Sequence, residues 1–506
     1  MKRFDISRFG VMIVILFFIT FSFILIEPIS SLDELWNYSF SKNIANGLLP
    51  YVDFNIVQTP LVFFITALFL KFGFNGLITT RILATILSVL ILIMVYIILN
   101  KLIKNKYANL FIMFNVCIVL IPFFCLDYNF LVLLFALILL NYELKSDNDK
   151  LLKLNVKSDF ILGIVAGLAI ITKQSTGLII AVVYVFYKWL AVRKKEDFVV
   201  AFKISLSRGL GVLVPVILFF TYLIVTKSFV EFWNYCLFGV SEFKNSISYI
   251  ELLKAGQYAI SVKILAVMVL IVILYAFIYL IKNYKLKTLE SRNILKLFVY
   301  GVASFVVIYP ISDDVHFLAG FVILLLLSIY IVATHCKLKN EKLKLNLSKL
   351  VIYLDYAILA MLVVVMCANY YHYIMNDEKN HNLEHYEGIP INENIVWAVN
   401  RVNEYIEEEK LNGRNVYILN ADAVLYNITK DRYNKYFDLP LKGNLGKNGI
   451  ENMINEIKGL DSNSVILILQ EGRPLNWQMP KEIIAYIREN YELVGKIVSY
   501  DMYSIN

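Results

Sequence analysis

The chain has 506 residues, of which 59% are hydrophobic and 17% charged, and its formal net charge is +8. Soluble domains are about 45–50% apolar and about 25% charged, so this composition excludes an ordinary soluble protein. The basic residues lie in short loops between apolar runs, which indicates membrane topology and argues against a nucleic-acid partner.

Eleven apolar stretches are predicted to cross the bilayer, a task that requires about 20 apolar residues per helix. The predicted spans are residues 9–27, 77–99, 107–124, 129–142, 159–172, 177–192, 207–226, 260–281, 295–310, 317–334 and 351–370. We interpret the first of these, 9–27, as a membrane-spanning helix and not as a cleaved signal peptide. The stretch 60–74 is also apolar, and we interpret it as an interfacial or re-entrant helix. A full crossing there would place Lys101, Lys104 and Lys106 outside, against the Lys/Arg bias of the loops.

This bias predicts a cytoplasmic N-terminus and an extracytoplasmic segment after about residue 371. That segment alternates helical patterns (392–411, 448–460 and 482–491) with strand patterns (415–419, 464–469 and 493–503). The alternation predicts a small α/β domain. No GxGxxG or P-loop motif is present, so no nucleotide cofactor is predicted. The predicted domains are therefore a polytopic α-helical transmembrane domain (1–370, with interfacial helices in the first outer loop, 28–76) and an extracytoplasmic α/β domain (371–506).

The unusual polar residues fall at the predicted outer ends of the spans. They are Asp33, Glu34, Asp53 and Gln58 in the first outer loop, Arg81 at the start of the second span, Asp127 at the third-to-fourth turn, Lys173 at the fifth-to-sixth turn, and Asp313, Asp314 and His316 at the ninth-to-tenth turn. Ionisable groups beside lipid usually face a cavity or a site. Four distant turns that carry carboxylates, an ammonium and an imidazole to one membrane face predict a functional site.

Each of these residues also has a structural alternative. Asp33 and Asp127 could cap helices, Arg81 could extend its charge toward the interface, and His316 could be an ordinary interfacial histidine. Lys173 is harder to explain in this way, because the outer face otherwise has few cations. A single ammonium there indicates a nearby anion such as a phosphate.

Four features together resemble a known family: Asp33-Glu34 after the first span, the stretch from Gly47 through Pro50-Tyr51 and Asp53-Phe54 to Pro60, an arginine opening the next span, and an aspartate at the second outer turn. In these features the chain resembles the polytopic glycosyltransferases of the GT-C class. More closely, it resembles the bacterial relatives of the protein O-mannosyltransferases and of the lipid A aminoarabinose transferase. It departs from them in having Thr59-Pro60 where relatives often show a double proline.

The resemblance implies a sugar donor carried on polyprenyl phosphate and an extracytoplasmic glycan, lipid or protein as acceptor. It implies that Asp33 is the catalytic base or orients the acceptor, and that Glu34 supports it or holds the donor. Asp127 would join Asp33 around the acceptor or a divalent cation, Mg or Mn. Arg81, Lys173 and His316 would stabilise the leaving lipid phosphate. The remaining predicted substrate-binding residues are Asp53, Gln58, Asp313 and Asp314.

A transporter or flippase of a lipid-linked saccharide is the main alternative, because such proteins also carry charges within the membrane. Transporters place these charges near the bilayer midplane and are often built from repeats. Here the charges collect at one face and no repeat is visible. A non-catalytic scaffold or sensor would leave Asp33, Lys173 and the 313–316 turn without a shared purpose. The sequence therefore favours a membrane glycosyltransferase.

Overall fold

The computed structural model describes residues 6–29, 32–120, 126–145, 154–240, 248–309, 311–335, 341–430, 432, 435–471 and 480–505. Each predicted span contains a helix. The α-helices are, in chain order, α1 Ile6–Ile26, α2 Leu32–Ala45, α3 Leu61–Lys71, α4 Leu77–Leu102, α5 Lys106–Leu120, α6 Tyr128–Lys145, α7 Val156–Ile170, α8 Gln174–Phe186, α9 Lys195–Val225, α10 Phe229–Trp233, α11 Tyr249–Lys254, α12 Ile260–Lys282, α13 Leu289–Phe305, α14 Asp314–His335, α15 Glu341–Met375, α16 Glu393–Leu411, α17 Ala423–Asn427, α18 Gly449–Lys458 and α19 Lys481–Asn490.

Seven stretches among the described residues are long and apolar enough to cross a membrane as helices. They are Leu77–Leu102, Gln174–Ala191, Lys195–Val225, Ile260–Lys282, Leu289–Ile308, Asp314–His335 and Lys349–Met375. Shorter apolar helices accompany them, and the chain is therefore a multi-pass membrane protein. One of the shorter helices is α3, with 11 residues. At about 1.5 Å per residue it reaches about half the thickness of the hydrocarbon core, which supports an interfacial or re-entrant helix.

The chain divides into two compact units. Unit 1 comprises Met1–Ile24, Ala84–Phe219 and Ser246–Tyr370, and unit 2 comprises Leu25–Leu83, Phe220–Asn245 and Tyr371–Asn506. Unit 1 is a bundle of apolar helices around one large core. Unit 2 combines the C-terminal segment with the first outer loop and residues 220–245, which the sequence interpretation had placed in the transmembrane domain.

A buried network of charges ties the helices of unit 1 together. Arg208 of α9 lies 2.6 Å from Glu143 of α6 and 2.8 Å from Asp159 of α7, and all three side chains are at most 1% exposed. Lys188 lies 3.5 Å from the other oxygen of Glu143, and the Tyr187 hydroxyl donates to that same oxygen. Buried charges persist only when they are paired and hydrogen-bonded, so this network fixes how the four segments pack.

Unit 2 contains a four-stranded sheet formed by β1 Val416–Ile418, β2 Val465–Leu469, β3 Glu492–Ile497 and β4 Tyr500–Ser504, in the order β1-β2-β4-β3. β1 and β2 are parallel, and the other pairs are antiparallel. The prediction of a single last strand over 493–503 was wrong, because the chain reverses at Val498, whose φ is +50°. Neither Val498 nor Ser499 is one of the residues typical of a tight hairpin turn, Gly, Asn or Asp, so the turn gave no strong signal.

The sheet of unit 2 shares its core with the first outer loop. Leu35 and Tyr38 of α2 belong to the same buried cluster as Ile418 of β1 and Val465 of β2. The indole N–H of Trp36 donates to the carbonyl of Ala421 at 3.0 Å. The helix that carries Asp33 and Glu34 is therefore part of the same folded body as the C-terminal segment.

Candidate functional site

Three turns of unit 1 bring predicted site residues together. Lys173 comes directly before α8, and its ammonium donates to the side-chain oxygen of Asn129, at the start of α6, at 2.6 Å. Asp127 comes just before α6, and its carboxylate accepts the backbone N–H of Asn129. Asp127 is 6% exposed and Lys173 is 8% exposed. We call Asp127, Asn129, Lys173, Asp313 and His316 the lysine cluster.

The turn before α14 supplies the other half of the lysine cluster. Asp313 accepts the backbone N–H of His316 at 2.8 Å, which caps the helix. The same carboxylate oxygen lies 2.7 Å from Nδ1 of His316. A carboxylate at Nδ1 fixes the ring orientation, so that Nε2 is left for other contacts. The Asp314 carboxylate instead accepts the backbone N–H of Val315 at 3.1 Å.

Burial and charge act against each other within the lysine cluster. Burial lowers the pKa of Lys173 to about 8, although the charges of Asp127 and Asp313 oppose that shift. Burial also raises the pKa of Asp127, against the Asn129 N–H and the charges of His316 and Lys173. For Asp313 burial is outweighed by the hydrogen bond and charge of His316, so its pKa is lowered. Perturbed groups of this kind concentrate at functional sites.

Unit 2 holds the other predicted residues, and its main feature is an ion pair. The guanidinium of Arg81 donates from Nε to Glu34 at 2.9 Å and from Nη2 to the second carboxylate oxygen at 3.1 Å. Its Nη1 donates to the carbonyl of Leu25 at 3.1 Å. Arg81 is 2% exposed and Glu34 is 17% exposed. Two parallel bonds fix the Glu34 carboxylate, so Arg81 holds Glu34 in this structure, and its phosphate-binding role stays a prediction.

The rest of the first outer loop forms a tight turn. Asp53 accepts the backbone N–H of Leu49 at 2.7 Å, and the Tyr51 hydroxyl donates to the Gln58 carbonyl at 2.8 Å. Tyr51 is fully buried and has a φ of +72°. Asp33 lies in the first turn of α2 and is exposed. Asp53 therefore stabilises the turn, whereas Asp33 lies on an exposed part of α2.

Several residues of these two sites were missed by the sequence interpretation. The sequence interpretation did not single out Asn129, although it is the partner of Lys173. Tyr38 and Lys42, on the same helix as Glu34, form a hydrogen-bonded group with His385. A spacing of four residues along α2, from Glu34 to Tyr38 to Lys42, was the available signal, since it places all three on one helix face.

A divalent cation was predicted at Asp33 and Asp127. Among the residues that the structure describes, no three His, Cys, Asp or Glu side chains come together so as to hold a metal ion. Asp127 accepts the backbone N–H of Asn129, and the charges of His316, Lys173 and Asp313 act on it. The cation stays a prediction, and no step proposed below uses one.

Comparison with known proteins gives similarity in structure only. No protein-family model matches the sequence, and comparison with curated proteins finds no significant relative. The crystal structure of ArnT from Cupriavidus metallidurans in the apo state is similar with a TM-score of 0.57 and 11% identity, over 99% of this chain and 98% of that one. For ArnT bound to undecaprenyl phosphate the values are 0.56 and 10%, over 100% and 99%.

The crystal structure of the Archaeoglobus fulgidus oligosaccharyltransferase, in complex with zinc and sulfate, has a TM-score of 0.47 and 11% identity, over 97% of this chain and 73% of that one. Identities this low show the fold alone. The match to ArnT spans nearly all of both chains. This chain therefore has the GT-C fold that its sequence resemblance implied.

Proposed function

We propose that this protein is an integral membrane glycosyltransferase that moves a sugar from a polyprenyl-phosphate donor to an extracytoplasmic acceptor. The observation that carries the proposal is the buried ammonium of Lys173, held by the neutral amide of Asn129 at the start of two helices. A partly desolvated ammonium at a helix N-terminus suits a phosphate group. ArnT, which has the same fold, has been crystallised with undecaprenyl phosphate, and this supports a lipid phosphate as the ligand.

In the proposed reaction an acceptor hydroxyl attacks the anomeric carbon of the donor sugar. The bond between that carbon and the phosphate oxygen breaks, and the lipid phosphate leaves with one additional negative charge. Asp33 takes the proton of the hydroxyl. Lys173 and His316 would stabilise the charge that develops on the leaving phosphate, while Arg81 orients the Glu34 carboxylate.

Replacing Lys173 tests its assignment to the donor phosphate. A charge-assisted hydrogen bond contributes about 1.5–3 kcal/mol, so Lys173→Ala should raise the KM for the donor about 10- to 100-fold with little change in the KM for the acceptor. The matched control is Lys254→Ala, which removes an exposed lysine of the same unit. An unchanged donor KM in Lys173→Ala would remove Lys173 from the phosphate site.

The pKa of Lys173 predicts a pH dependence. Because this pKa is about 8, the ammonium loses its proton as the pH rises through that value, and the donor KM of the wild type should rise between about pH 7 and about pH 9. Lys173→Arg keeps its charge throughout this range and should show a flat profile. Steady-state kinetics at saturating acceptor make the measurement. A flat profile in the wild type would contradict the prediction.

The proposal is tested against the transporter alternative in proteoliposomes that contain a polyprenyl-phosphate sugar and an acceptor on the outer side. A transferase releases one lipid phosphate for each sugar that appears on the acceptor. A flippase changes the leaflet in which the intact lipid-linked sugar is found without releasing phosphate. Movement without release would overturn the proposed function.

A further inference from the structure

The loop that follows α15 places one histidine against α2 and the start of α4. The backbone carbonyl of His385 accepts the N–H of Leu77, the first residue of α4, at 2.9 Å. Its Nδ1 lies 3.1 Å from the Tyr38 hydroxyl, and its Nε2 contacts the ammonium of Lys42. The side chain is 13% exposed. His385 therefore joins the two helical segments through both its backbone and its ring.

The Glu34–Arg81 ion pair joins the same two segments one helical turn away. Glu34, Tyr38 and Lys42 are spaced by four residues, so they line one face of α2. Arg81 follows Leu77 by four residues along α4. Tyr386, the residue after His385, is buried, and the charge of Glu34 adds to this burial in raising the pKa of its phenol. The loop thus reaches the surroundings of the Glu34 carboxylate.

The partners of His385 determine its tautomer. An ammonium only donates hydrogen bonds, so Nε2 accepts from Lys42 and the proton of the neutral ring lies on Nδ1. The Nδ1–H then donates to the Tyr38 oxygen, which also accepts the N–H of Gly76 at 3.2 Å. The result is a continuous chain of hydrogen bonds from Lys42 through His385 and Tyr38 to the residue before α4.

The backbone of His385 is strained, with a φ of +71°. This region favours glycine, and three residues later the chain does use glycine, at Gly388 with a φ of +74°. A strained residue persists where its surroundings require it, and such residues concentrate at functional sites. A histidine at this position indicates that its side chain, and not only the turn, is needed.

We propose that His385 is a positioning residue that fixes the Glu34–Arg81 pair by clamping α2 against the start of α4. This inference rests on the proposed function, since it assigns His385 to the same site. Protonation of the ring would set an imidazolium against the ammonium of Lys42 and break the chain of hydrogen bonds. Glu384, 3.5 Å from Nε2, and Glu387, beside Gly76, partly offset that repulsion.

The first test distinguishes the role of the His385 side chain from that of the backbone turn. His385→Gly removes the imidazole and relieves the strained φ, so its melting temperature should not fall below that of the wild type, whereas kcat should fall at least tenfold with an unchanged donor KM. Val498→Gly is the matched control, because it relieves a positive φ elsewhere in unit 2 and should leave kcat unchanged.

A wild-type kcat in His385→Gly would overturn the proposal. A lower melting temperature with activity reduced only in proportion to the folded fraction would also overturn it, since it shows a merely structural residue. The ring is tested independently of turnover by its ¹⁵N chemical shifts. The chain has only five histidines, so comparison with His385→Gln assigns the signal. A proton on Nδ1 at neutral pH is expected even if no donor is turned over, and a proton on Nε2 would refute the clamp itself.

Discussion

Asp33→Asn is expected to abolish glycosyl transfer while leaving the protein folded in the membrane. The asparagine has the same shape but cannot accept the proton of an acceptor hydroxyl, and the loss of general-base catalysis lowers kcat about 10²- to 10⁴-fold. Asp33 lies exposed in the first turn of α2, where loss of its charge removes only the interaction with the helix dipole, about 0.3–1 kcal/mol. Initial rates of lipid phosphate release at saturating donor and acceptor give the measurement.

The control for this prediction is Glu27→Gln, which removes an exposed carboxylate of the same unit six residues earlier. It should retain the wild-type rate. The donor KM of Asp33→Asn should also stay close to that of the wild type, because the proposed role of Asp33 is on the acceptor side. Wild-type turnover in Asp33→Asn would show that another group takes the proton.

Arg208→Ala is expected to cause the largest loss of stability in unit 1. Removing one partner of a buried ion pair leaves an uncompensated charge and costs about 3–5 kcal/mol. Here two carboxylates, those of Glu143 and Asp159, would lose their shared arginine, and both side chains are at most 1% exposed. Thermal unfolding of the purified protein in detergent should show a clearly lowered melting temperature.

Arg193→Ala is the matched control, because this arginine is exposed and its guanidinium donates to the backbone carbonyls of Leu190, Val192 and Tyr284. Its effect should stay within about 0.5 kcal/mol. Apolar replacement of Arg208, Glu143 and Asp159 together should recover much of the stability lost in Arg208→Ala. Equal melting temperatures for Arg208→Ala and the wild type would show that the network is solvated, contrary to this account.

The membrane helices could be predicted from the sequence because their signal is local. A helix needs about 20 apolar residues to cross the bilayer, and these residues are consecutive in the sequence. The α/β character of residues 371–506 was predictable for the same reason, since strand and helix periods differ. The hairpin at Val498 was missed, because a β-branched residue at positive φ is contrary to ordinary turn preferences.

The contacts within the sites depend on residues far apart in the chain, and so they could be predicted only in part. Grouping polar residues by turn indicated that Asp127, Lys173, Asp313 and His316 belong together, and unit 1 brings them into one cluster. The choice of Asn129 as the partner of Lys173 depends on how α6 packs against α8. Glu143 pairs with Arg208, 65 residues later in the sequence, and local sequence patterns could not predict this pair either.

The most direct test of the account is release of free polyprenyl phosphate by the purified protein from a panel of polyprenyl-phosphate sugars. We predict that at least one member of the panel is cleaved in the presence of an acceptor and that Asp33→Asn eliminates this release. Lys173→Ala should need a higher donor concentration than the wild type for half-maximal release. Absence of release across the panel, with the intact lipid-linked sugars bound or moved between leaflets, would contradict the account.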